Sequence, residues 1–295
     1  MSAVCRSRRF EARDHVELHC LHWSPASGDA APGAAPVILL HGGGANACWW
    51  SHLAAPLAAG RDVYALDFRG HGDSQYPEER VVGAFNLDLE AILAWLGRED
   101  VVLVGHSMGA GVALDHASRF PATRGLVLVD LARGGAPGGG RRARLALALR
   151  RTYRSRAEAV ERFRFLPEAA SADEALRRAI AERSVKEEPD GRFGYKFDPG
   201  WFSLPARPRP DLSQVRCPTL LVRGGESHLL STEGATGIVA RIAHARLVEI
   251  AGAGHHVLID QPKALLEVLE GFVGSVDTEA GRDAGRDAAR RRPAD

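Results

Sequence analysis

One serine, a late pair of histidines and a few carboxylates are spaced in a way that suits nucleophilic chemistry. The densest signal is Val101-Val102-Leu103-Val104-Gly105-His106-Ser107-Met108-Gly109, a G-x-S-x-G pattern between an apolar run and a helical pattern that continues through Val112 and Leu114. A tight strand-to-helix turn at that place forces Ser107 into a strained backbone and lifts its hydroxyl off the sheet edge. The flanking glycines permit a close chain approach where a Cβ would clash. The helix that follows aims its N-terminus at charge building on an attacked carbonyl, so the Met108 N–H is predicted to be one oxyanion donor. The bland alternative, an idle serine in a tight turn, fits the flanking strand and helix less well.

The partners of the serine follow from chain order. His41-Gly42-Gly43-Gly44 comes directly after the run Val37–Leu40, where small residues let a main-chain N–H face the substrate oxygen. Gly43 is the predicted second donor and Gly44 the fallback. A phosphate cradle would need a following Lys-Ser or Lys-Thr, or G-x-G-x-x-G spacing, and neither is present. The base is expected last, after the final strand, where Ala251-Gly252-Ala253-Gly254-His255-His256 bends the chain back. His255 fits as the base, and His256 is expected to pack locally. For the acid that must orient the imidazole, two carboxylates compete. Asp130 ends the run Leu126–Val129, at the same sheet edge as Ser107, and Glu226 follows the run Thr219–Val222. Asp130 is the first candidate and Glu226 the alternative; a structural carboxylate capping the next loop is the rival reading of Asp130.

These residues need a scaffold, and the apolar pattern supplies one. Short near-continuous runs occur at 37–40, 63–66, 101–104, 126–129, 219–222 and 247–250. Such runs suit strands buried on both faces of a parallel sheet. Helical patterns lie between them at about 46–59, 83–96, 108–119, 232–244 and 262–273. Residues 8–23 alternate weakly and predict one or two antiparallel edge strands. The expected fold is α/β, with a mostly parallel eight-stranded sheet flanked by helices. Residues 132–210 break the rhythm: no strand-like run is evident, but helical patterns occupy 141–164 and 172–185. An inserted helical cap at 132–210 is predicted, dividing a core of 1–131 and 211–276. Gly134–Gly140 would form its hinge, and Pro205, Pro208 and Pro210 would mark the exit. The stretch 277–295 has few apolar residues and is expected to be disordered.

Composition narrows the function classes. Apolar residues make up 45% of the 295 and charged residues 25%, ordinary for a soluble globular chain, and the net charge of +1 points to neither nucleic acid nor a membrane surface. The four cysteines are scattered without metal-ligand spacing and read as reduced thiols of a cytoplasmic protein. Neither a secretory signal nor a transmembrane run is expected. No cofactor or metal is predicted, and a homodimer is left open.

Four motifs taken together resemble the α/β-hydrolase superfamily, in its branch of small esterases, lactonases and C–C bond hydrolases with a cap. They are His41–Gly44, Asp67-Phe68-Arg69-Gly70-His71-Gly72-Asp73-Ser74, Gly105–Gly109 and Gly252–His255. The resemblance covers roughly residues 10–275. It implies that Asp67–Ser74 is an architectural loop, and it exposes a departure: His228 stands where the family usually carries its acid. Haloalkane dehalogenases, similar in fold, can place that acid after the sixth strand, which supports Asp130 by analogy. Their nucleophile is an aspartate, so Ser107 argues against dehalogenation. The expected activity is hydrolysis of a carboxylic ester, lactone or thioester. The alternatives are C–C bond hydrolysis of a ketone, or a non-hydrolytic ligand-binding or cyclase role. The aromatic content of the insertion (Phe163, Phe165, Phe193, Tyr195, Phe197, Trp201, Phe202) is either that segment's own core or the wall of a site for an apolar or aromatic small molecule. In the second case an arginine would be on hand for a substrate carboxylate.

Overall fold

The computed structural model describes residues 3–278, apart from 27, 29, 133–144, 146, 170, 206 and 207. Eight strands form one sheet: β1 (Val4–Glu11), β2 (Glu17–Ser24), β3 (Val37–Leu40), β4 (Val63–Asp67), β5 (Val102–His106), β6 (Gly125–Val129), β10 (Thr219–Gly224) and β11 (Ala245–Ile250). Their spatial order is β1-β2-β4-β3-β5-β6-β10-β11. β1 and β2 pair antiparallel, β2 joins β4 antiparallel, and every later pairing is parallel. Each strand from β3 to β6 is buried at every position.

That burial has two sides. Val37, Leu39, Val102 and Val104 pack with Leu53 and Leu57 of α1 (Ser51–Leu57) and with Leu265, Leu269 and Phe272 of α8 (Pro262–Asp277). Ile38, Leu40 and Leu103 point the other way, onto α2 (Ala84–Leu96), α3 (Met108–Arg119) and α6 (Thr232–Val239). Alternate residues thus serve opposite faces, and a strand sandwiched this way must be apolar throughout. Each buried Val or Leu contributes roughly 1.5–3 kcal/mol relative to exposure. The edge strand β1 differs. It is exposed at most positions and carries Arg6, Arg8 and Arg9, charges that discourage pairing with another chain.

The insertion between β6 and β10 is not purely helical, contrary to expectation. It holds β7 (Thr152–Tyr153), α4 (Arg156–Glu161), α5 (Glu174–Arg183), β8 (Val185–Glu187) and β9 (Phe193–Tyr195). The strands form a separate antiparallel sheet in the order β7-β9-β8. They are two or three residues long, too short to show as apolar runs. A signal was present nonetheless: Glu188-Pro189-Asp190-Gly191-Arg192 is turn chemistry, and Gly191 adopts φ 75° in the hairpin between β8 and β9. At the far end, Asp277 closes α8 and ion-pairs with Arg61 at 2.7 Å, so the expected tail boundary falls inside a helix. The glycine-rich hinge and residues 279–295 lie outside the described residues. Among the described residues, no helix is long and apolar enough to cross a membrane.

Candidate active site

The turn from β5 into α3 is strained at the serine. Ser107 has φ 52° and ψ −109°, a conformation that L-residues avoid. What holds it there is close packing at the two glycines. A Cβ on Gly105 would lie 2.4 Å from the Gly109 carbonyl oxygen, and a Cβ on Gly109 would lie 2.4 Å from that of Leu40. Neither approach is open to a larger residue, so the pattern is steric before it is chemical.

Three sheet-edge residues then meet in one hydrogen-bonded line. The Ser107 hydroxyl lies 2.9 Å from His255 Nε2, and His255 Nδ1 lies 2.7 Å from Asp130 Oδ1. His255 is on the loop between β11 and α7 (Val257–Asp260). An ionised carboxylate only accepts, so Nδ1 carries the proton and Nε2 is left to accept from the serine. Asp130 follows β6 directly with φ 42° and is fully buried. Its carboxylate takes two more hydrogen bonds, from the Ser227 hydroxyl to Oδ1 at 2.7 Å and from the Gly224 N–H to Oδ2 at 2.9 Å.

Because β6 and β10 are neighbours, the end of one strand lies beside the loop of the other. Asp130 is therefore already in the position that a carboxylate after β10 would have to reach. Glu226, the alternative acid, is not brought to the site. Its side chain is exposed, its backbone N–H bonds to Ala253 O at 2.9 Å, and no hydrogen bond joins it to His255 among the described residues. His228 is also exposed. Sequence reasoning missed Ser227. A hydroxyl in the loop that lacks its usual acid was the available sign.

The two predicted oxyanion donors lie around the same turn. Gly43 and Met108 line a cavity together with Ser107 and His255, whereas Gly44 lines a small adjoining one. The Gly43 N–H has no acceptor among the described residues. His41 fixes the loop: its Nδ1–H donates to Gly42 O at 2.8 Å and its Nε2 accepts from the Phe68 N–H at 3.1 Å. Burial lowers its pKa, which keeps this neutral tautomer. A second missed residue, His106, sits beneath both halves. Its ring would be 2.7 Å from a Cβ on Gly42, and its Nε2–H donates to His255 O at 3.0 Å. Burial holds its pKa well below the ordinary value, so it stays an uncharged strut. Asp67 is architectural, accepting from His19 Nδ1, the Ala47 N–H and the Asp73 N–H. His19, Asp67 and Asp73 are close enough to resemble a metal cluster. Their atoms are spent on these bonds and on an Asp73–Lys196 ion pair at 2.6 Å.

The cavity has a volume of about 600 Å³ and is walled mainly by apolar side chains, among them Phe85, Val112, Leu166, Trp201 and Phe202. Its polar wall includes Asn86 and Asp115, joined at 2.6 Å, and Arg209 also lines it. The aromatics of the insertion divide between the two roles considered for them. Phe163 meets Phe165, Tyr195 and Trp49 edge to face, and Phe165 meets Trp49 the same way, forming an internal core, while Trp201 and Phe202 line the cavity.

Comparisons with known proteins bear on the family and the fold. Residues 37–268 match the sequence model described as "Alpha/beta hydrolase family". The chain is 30% identical over 258 residues to Esterase Rv0045c of Mycobacterium tuberculosis, covering 82% of this chain and 84% of that one. It is 26% identical over 286 residues to the mouse sn-1-specific diacylglycerol lipase ABHD11, covering 90% of each. In structure it is similar to an alpha/beta hydrolase from Novosphingobium aromaticivorans, with a TM-score of 0.74 at 24% identity, covering 92% of this chain and 98% of that one.

Proposed function

The chain belongs to the alpha/beta hydrolase family, and from that footing we propose that it is a serine hydrolase cleaving a carboxylic ester, lactone or thioester through an acyl-enzyme on Ser107. The observation that carries the reading is the unbroken line from the Ser107 hydroxyl through His255 to Asp130. His255 Nε2 takes the hydroxyl proton as the oxygen attacks the substrate carbonyl. The Gly43 and Met108 N–H groups receive the oxyanion. The imidazolium, stabilised by Asp130, then protonates the departing alcohol, thiol or ring oxygen. Water enters, His255 removes its proton, and attack on the acyl-enzyme releases the acid and restores Ser107.

The apolar cavity favours a small-molecule substrate with an apolar acyl or alcohol group, and Arg209 offers a carboxylate a partner at its lining. The names of the two relatives, an esterase and a diacylglycerol lipase, support ester chemistry. The decisive experiment is Ser107→Ala with p-nitrophenyl butyrate. Turnover should fall by about 10³-fold or more while circular dichroism stays unchanged. Undiminished turnover would overturn the proposal.

A further inference from the structure

The loop that carries His255 is anchored by more than its side-chain contact to Asp130. Gly225 N–H bonds to Ile250 O at 2.8 Å, Glu226 N–H to Ala253 O at 2.9 Å, and His106 to His255 O at 3.0 Å. These contacts come from the end of β5 and from the loop after β10. Asp260, at the end of α7, does something different. Its Oδ2 accepts the Gly254 N–H at 2.9 Å, one residue before His255, and its Oδ1 accepts the Ser171 N–H at 3.1 Å. Ser171 belongs to the insertion, whose Leu166 lines the cavity. One buried carboxylate therefore grips the base's own loop with one oxygen and the roof of the site with the other.

The approach is tight: a Cβ on Gly254 would lie 3.3 Å from Asp260 Oδ2. A second contact runs parallel to it. The His256 ring packs against Phe165 and Trp49, with centroids 5.6 and 5.7 Å away, and so ties the same loop to the same stretch of the insertion.

We propose that Asp260 is a positioning residue for His255, a latch that makes the alignment of the base depend on the seating of the insertion over the cavity. This rests on the hydrolytic reading above only for its activity readout. Neither oxygen of Asp260 reaches the reacting atoms; the residue acts through the Gly254–His255 backbone. Keeping both acceptor bonds together requires the ionised carboxylate, because protonation leaves one carbonyl oxygen to accept and turns the other oxygen into a donor facing an N–H. The groups facing it are Glu226, on the loop after β10, and His255; from the insertion it receives the Ser171 N–H. Burial, reinforced by Glu226, raises its pKa, so the grip is lost on acidification earlier than for an ordinary carboxylate.

Asp260→Asn tests the latch, since the amide keeps the shape but presents one NH₂ where two acceptors are needed. Its kcat for p-nitrophenyl butyrate should fall about 10- to 100-fold with KM nearly unchanged, as expected when a base is displaced without loss of the pocket. The acidic limb of its kcat profile should become shallower, because one ionisation has been removed. Amide hydrogen exchange should quicken in residues 250–256 and in 163–172 together. Wild-type kcat, an unaltered acidic limb or unchanged exchange in 250–256 would overturn the proposal. The exchange measurement does not use catalysis, so it judges the latch even if Ser107→Ala were to leave turnover intact.

Discussion

The sheet edge and the roof above it are held by different means. β5 and β6 are buried at every residue, and the turn at Ser107 is so tightly packed that one added carbon on either glycine would strike backbone. The sheet of the insertion is short and partly exposed, and polar side chains fasten much of it. Arg192 donates to Thr152 Oγ1 at 2.8 Å, the Tyr195 and Tyr153 hydroxyls meet at 3.2 Å, and Arg150 pairs with Glu188 at 2.9 Å. Surface ion pairs of this kind contribute about 0–1 kcal/mol each. Close packing admits one arrangement, whereas exposed polar contacts can be exchanged at small cost. The rigid region thus carries Ser107 and Asp130, the adaptable one supplies most of the cavity's roof, and the two are coupled at Asp260, which bonds to Gly254 on one side and Ser171 on the other.

If that division is right, the largest effect after loss of the serine should come from Asp130, on the rigid side. Asp130→Asn keeps the volume but offers Nδ1 a donor in place of an acceptor, favouring the wrong tautomer of His255. A fall in kcat of about 10⁴-fold is expected, with KM little changed. Glu226→Gln, at the alternative position, should leave kcat where it was. Steady-state kinetics of the two variants side by side would break the comparison if their effects were reversed.

The same division explains what the sequence made legible. Strands buried on both faces are written as unbroken apolar runs, and the Ser107 turn is written as glycines that no other residue can replace. The fold and the serine, histidine and glycine positions could therefore be read directly. Asp130 was harder, because nothing in its neighbourhood says that β10 lies beside it; that adjacency is a property of the sheet order. Ser227 and His106 escaped for the same reason, since their partners are 97 and 149 residues away in the chain. The insertion was misread because strands of two or three residues carry no period, although Pro189-Asp190-Gly191 marked the hairpin.

A change in the roof away from the Asp260 contacts should alter recognition far more than chemistry. Phe202 lines the cavity and stands over Gly43, its Cε1 only 2.8 Å from where a Cβ on that glycine would be. Phe202→Ala should raise KM for p-nitrophenyl butyrate by about tenfold, the scale of one lost apolar contact, with kcat changed far less. A collapse of kcat with KM preserved would mean that the roof also shapes the oxyanion loop, and the boundary between the two regions would have to be redrawn.

The smallest predicted effect lies where the regions join. His256 is buried between the base loop and Phe165, facing the carbonyls of Leu166 and Pro167 without a hydrogen bond of good geometry. Burial pushes its pKa down from the ordinary 6.5 to about 3. Between those two values the unfolded chain binds a proton that the folded one refuses, so His256 contributes stability above pH 6.5 that drains away as the pH falls toward 3. The loss amounts to about 1.4 kcal/mol per pH unit for a single group. His256→Phe preserves an aromatic ring against Phe165 and Trp49 but cannot take up the proton. Urea unfolding at pH 7.5 and at pH 5 should therefore show the wild type losing about 2 kcal/mol more than the variant between the two conditions. Equal losses would mean that the imidazole titrates normally in the fold, and that the seam between sheet and roof is open to water.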